Sequence, residues 1–172
     1  MKGWLQQRWT RKKLASIHNL HDVERLARKV LPRPIFGYID HVAEDGRTQR
    51  ANLTAFDDYR FLPKAFVNVS QIDLHTELYG KRYNVPFGIA PMGISALSTY
   101  QGDLVLARAA AKRNLPMVMS GSSLVPMEEV AKVEGADWFQ AYLPGTPDGI
   151  EALLARVQRA GFKKLVVTLD YP

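Results

Sequence analysis

The chain has 172 residues, 47% hydrophobic and 23% charged, with a formal charge of +6 and no cysteine. That composition suits a globular domain with a real core in a reducing compartment. It excludes a disordered chain, a disulfide framework, a thiolate nucleophile and a cysteine-bound metal. No apolar run approaches the ~20 residues that span a bilayer, and the first residues hold no secretory h-region.

The charge is unevenly placed. Residues 1–33 carry nine Lys or Arg against Asp22 and Glu24, a net of +7, so the other 139 residues sum to −1. The basic character belongs to an arm and not to the body, which argues against a nucleic-acid-binding domain. Within the arm, residues 1–18, Trp4, Leu5 and Trp9 stand among Lys and Arg. One reading is peripheral contact with an anionic membrane surface through charge and indoles. The other is a solvated or partly helical terminus. The expected location is cytoplasmic, at the inner membrane surface under the first reading.

Residues 19–84 read as a lead-in. A helix is predicted over 19–31, capped by Asn19 or Asp22, with Leu20, Val23, Leu26, Ala27 and Val30 on one face. Pro32 and Pro34 end it, and Pro34 suits the first turn of a second helix that carries Ile35, Phe36, Tyr38 and Ile39. A third short helix is expected near 47–56. A β-hairpin follows, with strands over 74–78 and 82–85 turning at Gly80 and Lys81.

From residue 85 the pattern alternates. Strand-like runs cover 87–90, 117–120, 138–142 and 165–169, and helix-like runs cover 103–114, 127–133 and 149–160. Asn114, Gly135 and Gly161 mark helix stops. Strand followed by helix, repeated, predicts parallel strands with right-handed crossovers. An open doubly wound sheet and a (β/α)₈ barrel both fit that rhythm. No G-x-G-x-x-G opens a helix and no Walker A run occurs, which favours the barrel. A barrel needs eight strands and typically about 250 residues. Four strands are found here, so 85–172 is expected to be the first half of a truncated barrel.

Barrel chemistry sits at the C-terminal ends of the strands. Those ends read Pro91-Met92-Gly93, Ser120-Gly121-Ser122-Ser123, Gln140-Ala141-Tyr142 and Thr168-Leu169-Asp170. The set can hydrogen-bond the edge of a polar heterocycle. It holds no general base suited to neutral pH and no cationic clamp. Ser120, Ser122 and Ser123 have no His and Asp partners in a triad pattern. His18, His21, His41 and His75 lie away from the strand ends and are read as structural or surface residues, not metal ligands. Taken singly, Tyr38 suits packing in an amphipathic helix, Gln140 and Thr168 suit pairing with nearby backbone, and Asp170 suits a helix cap.

The segments LPRPIFGYIDHVAED, NVPFGIAPMGI, GDLVLARAAAKRN, MVMSGSS, WFQAY and GFKKLVVTLDYP, in that order, resemble the FMN-dependent L-2-hydroxy acid oxidases and dehydrogenases. Glycolate oxidase, flavin-linked L-lactate dehydrogenase and mandelate dehydrogenase are members. The resemblance runs from about Asn19 to the last residue. It implies FMN as cofactor and a 2-hydroxy acid, L-lactate first, as substrate. It implies a quinone, a cytochrome or oxygen as electron acceptor, and a homo-oligomeric complete enzyme.

By the same resemblance Tyr38 binds the substrate carboxylate, and Tyr142 stands beside the substrate hydroxyl. Pro91, Met92 and Gly93 supply the backbone facing the flavin N5 region. Ser120, Gln140 and Thr168 contact the flavin, and Asp170 orients a catalytic histidine. That histidine, two substrate-binding arginines, a flavin-pairing lysine and the phosphate loop are expected beyond Pro172, which would leave this chain inactive alone. Val42 stands where the family has a small glycine, which puts the turn near Tyr38 in question. The alternatives are a non-catalytic half-barrel that self-associates through its open edges, and another phosphate-binding barrel enzyme.

Overall fold

The computed structural model describes residues 14–169. Most of the basic arm, with Trp4 and Trp9, and all of Asp170 lie outside the described residues. The chain divides into two units, Met1–Ala65 and Phe66–Pro172.

The first unit is helical. Helix α1 (Leu20–Val30) opens on a capping box in which both predicted caps take part. The Asn19 side chain accepts from the Asp22 N–H at 3.0 Å, and the Asp22 carboxyl accepts from the Asn19 N–H at 3.3 Å and the His18 N–H at 2.8 Å. Helix α2 (Arg33–Asp40) starts with Pro34 in its first turn, where a missing N–H costs nothing. Arg28 ties the two helices, donating to Asp40 at 3.2 Å and lying 4.4 Å over the ring of Phe36. Phe36 is buried, whereas Leu20, Val23 and Val30 of the predicted apolar face are exposed. Helix α3 (Arg47–Thr54) tightens into a 3₁₀ turn at Ala55–Asp58. The turn before it forms with Val42 in place, because Glu44 and Gly46 both adopt left-handed backbone, at φ 48° and 71°.

The second unit opens on the hairpin, β1 (Thr76–Leu78) against β2 (Lys81–Tyr83). The turn falls one residue earlier than expected. Tyr79 and Gly80, at φ 48° and 72°, make the two-residue loop, and Lys81 pairs with Leu78. Both strands are shorter than predicted because the flanking backbone is bonded elsewhere, to a side chain before β1 and to another segment's backbone after β2. The His75 N–H goes to the Asp73 carboxyl at 2.9 Å, and the Asn84 N–H to the Asn114 carbonyl at 3.1 Å.

Three parallel strands follow in the order β3 (Val118–Ser120), β4 (Trp138–Ala141), β5 (Lys164–Val167). Helices α4 (Gly102–Arg113), α5 (Met127–Ala131) and α6 (Pro147–Ala160) alternate with them. The run 87–90 is not a full strand. It contributes one parallel bridge, Ile89 to Met117, closed by Ile89 N–H to Pro116 O at 2.9 Å and Val118 N–H to Ile89 O at 3.0 Å. Pro86, Pro91 and Pro116 withhold the donors a longer ladder needs. The approach is also close: a Cβ on Gly88 would stand 2.3 Å from the Pro116 carbonyl oxygen.

Alternation along the strands sends Met119, Phe139 and Ala141 to the helices, where they are buried with Leu104, Ala107, Val130, Val157 and Phe162. The other face carries Trp138 and Gln140, two residues apart on β4. Trp138 anchors the hairpin. Its indole N–H donates to the Tyr83 hydroxyl at 3.0 Å, and the Tyr79 ring meets it edge-on at 5.4 Å. Beside it Lys81 donates to Asp137 at 2.7 Å. Burial pushes the Asp137 carboxyl up, but the Lys81 hydrogen bond and the charges of Lys81, Lys163 and Lys164 outweigh it and hold the group below its ordinary range.

Candidate functional site

At the C-terminal ends of β3, β4 and β5 the side chain of Gln140 is the hub. It is 2% exposed. Its Oε1 accepts from the Ser120 hydroxyl at 3.2 Å and from the Gly121 N–H at 3.1 Å. Its Nε2 donates to the Thr168 hydroxyl at 2.8 Å. The Gly121 N–H can only donate, so it fixes which end of the amide is oxygen. Direction then propagates. Ser120 donates to Gln140 and accepts from the Ser122 N–H at 3.1 Å, so its hydroxyl is committed on both sides. Thr168 accepts from Gln140, which leaves the threonine proton to be donated elsewhere. One Nε2 hydrogen of Gln140 is likewise left to donate.

Two glycines keep this region close-packed without side chains. A Cβ on Gly121 would meet the Gln140 carbonyl oxygen at 2.7 Å, and a Cβ on Gly93 would meet Ser122 Cβ at 3.3 Å. The loop that bears Pro91, Met92 and Gly93 thus lies against the loop after β3. Their backbones join directly, Ile94 N–H to Ser122 O at 3.0 Å. Ile94 is held left-handed at φ 46°, an unusual state for a β-branched residue. Met92 is 45% exposed and Tyr142, just past β4, is 41% exposed.

Of the sequence-predicted residues, Ser120, Gln140 and Thr168 are brought into one network, with Gly93 packed on its neighbour Ser122. Tyr38 lies in α2 of the first unit and is exposed. Asp170 falls outside the described residues. Two contributors were not anticipated. The Gly121 N–H orients the amide, and Asp103 in the first turn of α4 accepts from Ser95 and Ser123. Gly121 had a local signal in the Ser-Gly-Ser run. Asp103 had none, because its partners lie 8 residues before it and 20 after it.

The arrangement is a neutral edge of amide, hydroxyl and backbone groups beside two glycines, with one Gln140 hydrogen and the Thr168 proton left to donate. Such a set can grip a planar heterocycle with polar atoms along one side. It fits the ring portion of FMN. Among the described strand ends there is no cation to match a phosphate and no histidine to take a proton.

A parallel sheet alternating with helices, with a polar network at the strand ends, fits a partial α/β barrel. The sequence model of the FMN-dependent dehydrogenases matches residues 27–172, and the chain belongs to that family of FMN-dependent (S)-2-hydroxy acid dehydrogenases and oxidases. It is 34% identical over 152 residues to an L-lactate dehydrogenase of Pectobacterium atrosepticum, covering 88% of this chain and 39% of that protein. It is 36% identical over 155 residues to a peroxisomal (S)-2-hydroxy-acid oxidase of Oryza sativa subsp. indica, covering 90% and 42%. Among solved structures, a soluble mutant of the membrane-associated (S)-mandelate dehydrogenase from Pseudomonas putida superposes with a TM-score of 0.85 at 35% identity, covering 90% of this chain and 44% of that one. The chain spans about two fifths of the length of the relatives it matches.

Proposed function

We propose that this chain is the flavin-ring part of an enzyme that oxidises an L-2-hydroxy acid, L-lactate first, to the 2-oxo acid. The observation that carries the reading is the Gln140 amide, locked on three sides at the strand ends so that donors remain for a ligand. Gln140 and Thr168 address the polar edge of the FMN ring, and Ser120 holds the amide in register. The backbone of Pro91, Met92 and Gly93 lies along the ring. Tyr142 positions the substrate hydroxyl, Tyr38 its carboxylate, and Asp170 a histidine. When bound there, FMN would supply the two-electron redox chemistry, while these residues orient ring and substrate.

The described strand ends orient these partners without a group suited to remove the substrate's proton. This chain by itself therefore binds FMN weakly and does not turn over. The residues 85–172 then make four strand positions of a (β/α)₈ barrel, counting the Ile89 bridge. The acceptor is a quinone, a cytochrome or oxygen. The basic, Trp-bearing arm favours a quinone at the inner membrane surface, and the complete enzyme is a homo-oligomer. Among the described residues no helix is long and apolar enough to cross a membrane.

Titration of the 172-residue chain with FMN, followed by flavin fluorescence and visible circular dichroism, tests this. Gln140→Leu is expected to weaken binding about tenfold, the equivalent of one to two neutral hydrogen bonds. Unchanged binding in that variant, or L-lactate turnover comparable to a full-length relative, would refute the reading.

A further inference from the structure

We infer that Asp103 is a positioning residue that latches together the two loops on which the flavin ring is proposed to rest. The inference builds on the ring site above and goes beyond it, since Asp103 touches no ligand in that reading.

Asp103 is 1% exposed, among the most deeply buried side chains of the described chain. It stands in the first turn of α4, where an acidic side chain is favoured by the helix dipole. Its role is not confined to that helix. Oδ2 accepts from the Ser95 hydroxyl at 2.7 Å and from the Ser123 hydroxyl at 2.6 Å. Ser95 begins the 3₁₀ turn Ser95–Leu97, two residues after Gly93. Ser123 ends the Ser120-Gly121-Ser122-Ser123 run and accepts from the Val125 N–H at 3.0 Å. One carboxyl oxygen thus clamps the loop of Met92 and Gly93 to the loop whose Gly121 N–H orients Gln140.

The clamp sits beside the strained position. Ile94 lies between Gly93 and Ser95, and its left-handed backbone persists only where neighbours over-determine it. Ile94 N–H to Ser122 O on one side and Ser95 to Asp103 to Ser123 on the other supply that constraint. The packing is tight as well: a Cβ on Gly102 would meet Ser95 Oγ at 2.6 Å and the Ser95 carbonyl carbon at 2.8 Å. Without the carboxyl, two hydroxyls lose their common acceptor. The loops then separate without disturbing the outward face of the sheet, where the apolar core lies.

Amide hydrogen exchange on the flavin-free chain reads the latch directly. In Asp103→Ala the Ile94 and Val125 amides are expected to exchange about tenfold faster, while amides of β2 and β4 keep their protection. Asp103→Asn, whose amide oxygen can accept from both hydroxyls, is expected to stay within about threefold of the parent. If Asp103→Ala does not fold, Ser95→Ala and Ser123→Ala carry the same test, with about threefold effects each. Unchanged Ile94 and Val125 exchange overturns the latch, and so does a uniform loss of protection across the sheet in the serine variants.

FMN titration then connects the latch to the ring. Asp103→Ala is expected to weaken binding about tenfold and Asp103→Asn to restore it. If Gln140→Leu weakens FMN binding and Asp103→Ala does not, the positioning role fails. If Gln140→Leu leaves binding unchanged, the ring-site reading is what fails, and the exchange result still decides the latch.

Discussion

The hairpin is fastened to the sheet at one buried point, and its removal has a calculable cost. Tyr83 is fully buried and Trp138 is 8% exposed. The indole N–H of Trp138 donates to the Tyr83 hydroxyl at 3.0 Å. Tyr83→Phe keeps the ring and its packing but strands the indole N–H, because water has little access there. A buried donor left unpaired costs about 1–3 kcal/mol. In a unit of roughly 100 residues each kcal/mol lowers Tm by about 4–8 °C. The second unit has its only tryptophan at 138, since Trp4 and Trp9 belong to the arm. Unfolding followed by circular dichroism in Tyr83→Phe, Trp138→Phe and the double variant isolates the pair. In the Trp138→Phe background Tyr83→Phe has no N–H to strand, so its cost should shrink by about 1 kcal/mol or more. An equal cost in both backgrounds would show that packing, and not the hydrogen bond, fastens the hairpin.

Two further outcomes follow from the same geometry. Asp137 is held below its ordinary range by Lys81 and its lysine neighbours, against the pull of burial. Its contribution is therefore full above the ordinary carboxylate value and is lost as pH falls through the lowered one. Asp137→Asn should cost about 1–3 kcal/mol at neutral pH, and urea midpoints of parent and variant should converge as pH falls below the ordinary carboxylate range. Gly88→Ala should force the 87–90 run off Pro116, because the new Cβ would fall 2.3 Å from a carbonyl oxygen. A cost of about 1–3 kcal/mol is expected, with selective loss of amide protection at Ile89 and Val118.

Much of this was legible in residue order, and the failures share a cause. Most helix starts and stops were readable because caps are local: Asn19 with Asp22, Pro34, and the left-handed Asn114 and Gly161 act within a turn of their own position, whereas α5 ends at Ala131, short of the expected stop at Gly135. Strand lengths were overestimated because alternation reports which residues suit a sheet, and not where the hydrogen-bond partners run out. The 87–90 run is apolar enough for a strand, but the prolines on both sides of the bridge limit it to one pair. The hairpin turn slipped by one residue because Gly80 takes the second loop position, with Tyr79 forced left-handed before it. At the site, Gln140 and Thr168 were nameable from the strand ends, whereas the direction of the network was not. It depends on the Gly121 N–H, a backbone group that a sequence does not display.

The hairpin anchor and the candidate site lie two residues apart on one face of one strand. Trp138 faces Tyr83 and Lys164 at the start of β4, and Gln140 faces Ser120 and Thr168 at its end. In barrels the two ends divide the work, with stability held at the N-terminal side and chemistry at the C-terminal side. Here the division is carried by a single pleat. The indole is satisfied by a rigid phenol and closes one end. The amide is satisfied by groups that leave two protons undirected by protein, and so keeps the other end receptive. Tyr83→Phe should consequently shift the unfolding midpoint while sparing FMN affinity, whereas Gln140→Leu, which strands the Gly121 N–H and the Ser120 hydroxyl, should lower both. Were Tyr83→Phe to weaken FMN binding in step with its loss of stability, strand β4 would be transmitting strain along its length, and the site could not be treated as separable from the fold that presents it.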